Sequence, residues 1–184
     1  MNRPISVLCL TAAAALIGTA HAEVVSQADN GFALAHTVSV EAEPGAVWTA
    51  LINPASWWNP AHSWSGDSTN FSLDPAAGGC FCETWQNEEG QPYSVEHLRV
   101  AALIPGNQLT LRGALGPLQT YGVDGALTFL IVGQGDGTSD VMVTYNVGGY
   151  LDGMDQWAGP VDGVIAEQAE RLARLINTGS PDTE

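Results

Sequence analysis

The chain has 184 residues, 20 of them acidic and only 5 Lys or Arg, for a formal net charge of −15. A surface so acidic is repelled by phosphate backbones and anionic headgroups, which excludes nucleic acid as a partner. The length suits one domain, and beyond the N-terminus no apolar run reaches the ~20 residues that span a bilayer, which excludes stable membrane insertion.

Arg3 is the only charge before Glu23. The apolar run over residues 5–17 and the small-x-small signature Ala20-His21-Ala22 read as a secretory signal peptide over residues 1–22, cleaved after Ala22. The expected location is periplasmic or secreted. Cys9 leaves with the leader, so Cys80 and Cys82 remain. Residues two apart in a strand share a face. A bond between them closes a very small ring, and the expectation is free thiols.

Residues 23–30 are polar and read as a flexible N-terminal segment. Phe32, Leu34, Val38 and Val40 then alternate with Ala33, Ala35, Thr37 and Ser39, the period-2 pattern of a half-buried strand. His36 lies on its apolar face and reads as a satisfied core histidine. Glu43-Pro44-Gly45 breaks the strand, and Pro44 suits the first turn of a helix. Val47, Trp48, Leu51 and Ile52 recur at helical spacing and stop before Pro54. With Pro54 and Pro60 in place, residues 54–67 form loop or short helix. Strands are predicted over residues 71–74, 80–86, 93–103, 108–112, 126–132 and 141–147. The Gly133–Gly137 run is a hairpin loop and not a phosphate cradle, because no helix pattern follows it.

The C-terminal region carries one long amphipathic pattern. Val161, Val164, Ile165, Gln168, Ala169, Leu172, Leu175 and Ile176 make one stripe, apolar but for Gln168. Asp155 or a neighbour suits its start and Gly179 its end. Residues 180–184 read as a disordered tail. The fold class is α+β: a curved antiparallel sheet of about six or seven strands gripping a long C-terminal helix, with one or two short helices after the first strand. One helix across a curved sheet leaves a concavity beneath it.

Over about residues 32–178 this pattern resembles the START-like, or helix-grip, superfamily. That group also holds polyketide cyclases, plant pollen allergens and homologues of a chaperone ATPase activator. The strand into Val47-Trp48-Thr49-Ala50-Leu51, the pair Trp57-Trp58, the Gly78-Gly79 turn before an aromatic strand with Glu83, and the Ile104-Pro105-Gly106 break carry the resemblance. A bacterial branch is closer, through His62-Ser63-Trp64-Ser65-Gly66-Asp67, Gly79-Cys80-Phe81-Cys82-Glu83, Glu96-His97 and Gly113-Ala114-Leu115-Gly116-Pro117-Leu118-Gln119. The resemblance implies a single START-like domain over residues 31–179 with a hydrophobic cavity. It does not fix function, since the superfamily includes lipid and hormone binders, cyclases and non-catalytic partners. The chaperone-activator relatives act in the cytosol, whereas this chain reads as exported, which argues against a chaperone partner.

Five of the six Trp fall between Ala46 and Trp85. Candidate ligand-binding residues are Trp57, Trp58, His62, Trp64, Trp85, Tyr93, His97, Tyr145 and Trp157. Aromatic side chains offer large apolar area with polar edges, suited to a lipid, steroid or polyketide-like guest. Ordinary core packing is the competing explanation for each. Candidate catalytic residues are His97 as acid–base group, assisted by Glu83 or Asp67. Cys80 and Cys82 lack standard zinc spacing, and no metal or cofactor is assigned. Neighbouring residues 82 and 83 face opposite sides of a strand, so the thiols and Glu83 do not share one cavity unless a bulge intervenes. The expected function is an exported binder of a small hydrophobic molecule. The alternatives are a cyclase- or dehydratase-like enzyme and a protein-interaction module without ligand.

Overall fold

The computed structural model describes residues 21–183. Strands β1 (His21–Ala28) and β2 (Gly31–Val40) form a hairpin. Helix α1 (Pro44–Leu51) and three single 3-10 turns carry the chain to the far edge of the sheet. There β3 (Phe71–Leu73), β4 (Cys80–Gln86), β5 (Pro92–Ile104), β6 (Gln108–Arg112), β7 (Gly122–Gly133) and β8 (Ser139–Tyr150) meander back until β8 pairs with β2. The result is one curved, wholly antiparallel sheet in the order β1-β2-β8-β7-β6-β5-β4-β3. Helix α2 (Ala158–Thr178) lies across it, mainly over β1 and β2 and against α1.

Alternation builds the core. Phe32, Leu34, Val38 and Val40 of β2, Leu127, Phe129 and Ile131 of β7, and Val141, Val143 and Val147 of β8 turn to the helix side and are buried. Ile165, Ala169 and Leu172 of α2 meet them. Each fully buried Leu, Ile or Phe contributes about 1.5–3 kcal/mol, which is why packing fixes the helix here. His36 is buried on β2 and its Nε2 faces Asp162 Oδ1 of α2 at 2.9 Å. The helix ends at Gly179, whose φ of 82° is in the left-handed region, with its N–H returned to Leu175 O at 2.9 Å. Its start carries no side-chain cap: Asp155 sits instead in the 3-10 turn Met154–Trp157 that feeds it.

Four expectations need correction or bounding. Most of the segment 23–30 is not loose but belongs to β1, which adds an eighth strand; its polar residues form an edge whose backbone pairs with β2. The predicted leader falls mostly on residues 1–20, which lie outside the described residues. The tail is not free: Arg171 Nη1 reaches Asp182 Oδ1 at 2.7 Å and Arg174 Nε donates to Pro181 O at 2.9 Å. Cys80 and Cys82 are joined as a disulfide rather than free. Their Cα atoms are 5.4 Å apart, inside the usual disulfide range and shorter than the roughly 6.6 Å of two extended residues. The register between β4 and β5 shifts between Phe81 and Cys82.

Candidate functional site

Along β4 and β5, Phe81 faces Leu98 but Cys82 faces Glu96, so His97 is the extra residue of a β-bulge. Strict alternation turns one of two neighbours outward; the bulge turns both His97 and Leu98 inward, at 4% and 1% exposure. Glu83 of β4 is fully buried beside them. Cys80 and Cys82 alternate with the buried Phe81 and Glu83 and so lie on the opposite, outer face. The bulge belongs to β5, so it moves His97 and not the cysteines.

Glu83 collects three donors. Trp64 N–H reaches Oε2 at 3.0 Å, Ser65 N–H reaches Oε1 at 2.6 Å, and His97 Nε2 stands 3.0 Å from Oε2. Burial alone pushes this carboxyl upward, but the hydrogen bonds from Ser65, Trp64 and His97 together outweigh it and hold it below the ordinary carboxylate range. Burial holds the His97 imidazole below its ordinary value, against the pull of Glu83. The pair therefore rests as carboxylate and neutral imidazole. A carboxylate only accepts, so Nε2 carries the proton and Nδ1 keeps its lone pair. The His97 ring packs against both Phe71 and Phe81, with centroids 5.0 and 5.3 Å away, and those two rings stack on each other at 5.5 Å.

His97 lines a cavity of about 400 Å³. Its walls are the 3-10 segment around Trp58, His62, Ser63 and Trp64, the loop Leu115 to Leu118, and Trp157, Val161, Val164 and Ile165 at the start of α2. Glu83 holds the first wall to the sheet through the N–H groups of residues 64 and 65. Tyr145 holds the second. Its buried hydroxyl donates to Gly113 O at 3.1 Å and accepts from Leu115 N–H at 3.0 Å. Its ring lies across Gly125, where an added Cβ would stand 2.6 Å from Tyr145 Cε2, so only glycine fits there. Burial and the nearby Asp124 charge raise the Tyr145 phenol far above its ordinary value, despite the opposing Leu115 hydrogen bond, and it stays protonated. At the rim, His62 Nε2 meets Glu167 Oε2 of α2 at 2.9 Å.

The structure thus brings together Trp58, His62, Trp64, His97 and Trp157 at one cavity, with Glu83 directly behind His97. It does not place Trp57, Trp85, Tyr93, Tyr145 or Asp67 there. Trp57 is core, beside an apolar void of about 10 Å³, room for about one water. Trp85 and Tyr93 pair with each other at 5.5 Å beside the turn that joins β4 to β5. Tyr145 is a pin beneath a loop. Asp67 is exposed and caps the turn Ser68–Asn70, accepting from Thr69 N–H at 2.9 Å and Thr69 Oγ1 at 2.8 Å; those bonds hold its carboxyl below the ordinary range. Sequence reasoning missed Leu115 to Leu118 as a wall, and Val161 and Val164 as lining. The signal for the latter was present: the apolar stripe of α2 runs past the end that the sheet covers.

No protein-family model matches the chain, and no curated protein matches it. Solved structures do. A conserved protein of unknown function from Enterococcus faecalis superposes with a TM-score of 0.55 at 10% identity, covering 90% of this chain and 80% of that one. CalU16 from Micromonospora echinospora gives 0.54 at 11% identity, over 90% and 88%. An uncharacterized protein from Rhizobium leguminosarum gives 0.51 at 17% identity, over 85% and 99%. The shared architecture is a helix grip. At these identities the likeness shows the fold and nothing more.

Proposed function

We propose that this chain is an exported binding protein for a small hydrophobic molecule held between the sheet and α2, from a bacterial branch of the START-like superfamily related to polyketide cyclases. The observation that carries the reading is the cavity. Its volume of about 400 Å³ falls in the range of ligand sites, about 300–1,000 Å³, and a mostly apolar wall with one placed polar group is how such sites are built. Export rests on the leader-like residues 1–22; cleavage after Ala22 leaves residues 23–28 of β1 to pair with β2.

The test is titration with N-phenyl-1-naphthylamine, whose fluorescence rises in apolar surroundings. Saturable binding at one molecule per chain is expected, abolished in Val164→Trp, which fills the cavity from α2. Binding that survives Val164→Trp unchanged places the probe elsewhere and removes this reading.

One observation favours a second reading. A neutral His97, oriented by Glu83 at 3.0 Å, has the form of a general base with its carboxylate partner. A cyclase- or dehydratase-like enzyme would use Nδ1 to take a proton from a bound enol or hydroxyl. Under that reading His97→Ala abolishes turnover while leaving binding of the naphthylamine probe intact; unchanged turnover takes His97 out of the role.

A further inference from the structure

The cavity's polar inventory is short and one-sided. None of its lining residues is Lys or Arg. Ser63 is satisfied both ways, donating to Pro60 O and accepting from Gly66 N–H, each at 2.8 Å. The Trp58 indole N–H is spent on His62 O at 3.1 Å. His62 is held at the rim by Glu167. Trp64 is half exposed, so its indole N–H has water available, and the half-buried Trp157 adds a second indole N–H, a group that donates and does not accept. Among the buried side chains this leaves His97. Its Nε2 faces a carboxylate already accepting two backbone N–H groups, so that nitrogen must donate and Nδ1 must accept. Nδ1 has no hydrogen-bond partner among the described residues and is not one of the sealed, unpartnered buried atoms.

We infer that the cavity selects neutral, hydroxyl-bearing hydrophobic molecules, phenols and hydroxylated ring systems, over carboxylic acids and over the same molecules with the hydroxyl alkylated. This rests on the ligand-binding reading above and names the chemistry of its guest. A hydroxyl donates to Nδ1 and satisfies a buried acceptor. An ether has no proton to give and meets that lone pair with its own. A carboxylate meets the lone pair, the buried Glu83 charge behind it and the Glu167 charge at the rim, in a protein of net charge −15 with no cation in the cavity wall to compensate.

Calorimetric titration of the whole protein at pH 7 with 2-naphthol, 2-methoxynaphthalene and 2-naphthoate tests it. These share one ring system and differ at one substituent. 2-Naphthol is expected to bind about tenfold more tightly than either of the others, the worth of one buried hydrogen bond to a polarised acceptor. In His97→Phe the naphthol advantage over the methoxy compound shrinks to within about twofold while affinity for the methoxy compound holds. If His97→Phe fails to fold, with Glu83 deprived of a donor, the ranking on the unmodified protein decides alone. Equal binding of naphthol and its methyl ether, or tightest binding of naphthoate, overturns the inference and leaves a hydrophobic site standing. No binding of any of the three counts against the binding reading itself.

Discussion

Replacing Glu83 by Gln changes one oxygen to an NH₂ group at nearly constant volume, which makes it a clean probe of what the carboxylate holds. Three N–H donors converge on Glu83, from Trp64, Ser65 and His97. A carboxamide has one acceptor oxygen, so at least one donor must face another N–H group. A hydrogen bond to a charged group is worth about 1.5–3 kcal/mol, and a buried donor left unmade costs about 1–3 kcal/mol. The sum is about 2.5–6 kcal/mol for a fully buried site. For a domain of this size that lowers Tm by roughly 5–24 °C. The assay is urea denaturation followed by tryptophan fluorescence, repeated across pH. Both Glu83 and His97 titrate lower in the folded than in the ordinary state. The unfolded chain therefore binds more protons as pH falls, and stability drops with pH. The His97 contribution is complete above the ordinary histidine value of 6.5 and is lost below it. The Glu83 contribution follows below the ordinary glutamate value of 4.5, and is missing from Glu83→Gln. A variant within about 0.5 kcal/mol of the parent, about the spread of a neutral surface change, refutes the claim that this carboxylate ties the 62–67 segment to the sheet.

Other substitutions probe the remaining walls. Tyr145→Phe removes both bonds to the 113–115 backbone and is expected to cost about 1–2 kcal/mol, with faster amide exchange at Leu115; unchanged exchange there means the loop is held by something else. Gly125→Ala sets a methyl 2.6 Å from Tyr145 Cε2 and 2.8 Å from Gly113 O, for a loss of about 1–3 kcal/mol by thermal melting; an unchanged melt contradicts the close packing described. Arg171→Met breaks the bonds to Trp57 O at 2.8 Å and to Asp182, so limited proteolysis is expected to clip residues 180–183 first, and equal clipping of parent and variant would show the tail is not tied through Arg171.

The fold was legible because burial here follows periodicity closely. The strand patterns over residues 80–86 and 108–112 coincide with β4 and β6, and the α2 stripe predicted the buried Ile165, Ala169 and Leu172. What escaped has specific causes. β1 carries no apolar alternation because it is an edge strand, paired through its backbone to β2, so composition made it look loose. The inward turn of His97 depends on a bulge, a two-against-one register that no residue pattern within β5 announces. Four of the seven Trp and Tyr candidates fall outside the cavity. Ring chemistry does not reveal which end of a strand a residue occupies: Trp85 shares the face of Phe81 and Glu83 but sits beside the β4–β5 turn. Tyr145 serves the cavity from outside it, through two backbone bonds made across 30 or more residues of sequence.

The central claim is that the hollow between α2, the 115–118 loop and the bulged strand holds a neutral guest whose hydroxyl meets His97. A crystal structure of the protein grown with 2-naphthol tests it most directly. The account predicts the rings between Trp58 and the Val161–Val164 side of α2, with the naphthol oxygen at roughly 2.7–3.0 Å from His97 Nδ1. A naphthol found outside this cavity, or seated in it with its oxygen turned to the rim at His62, contradicts it.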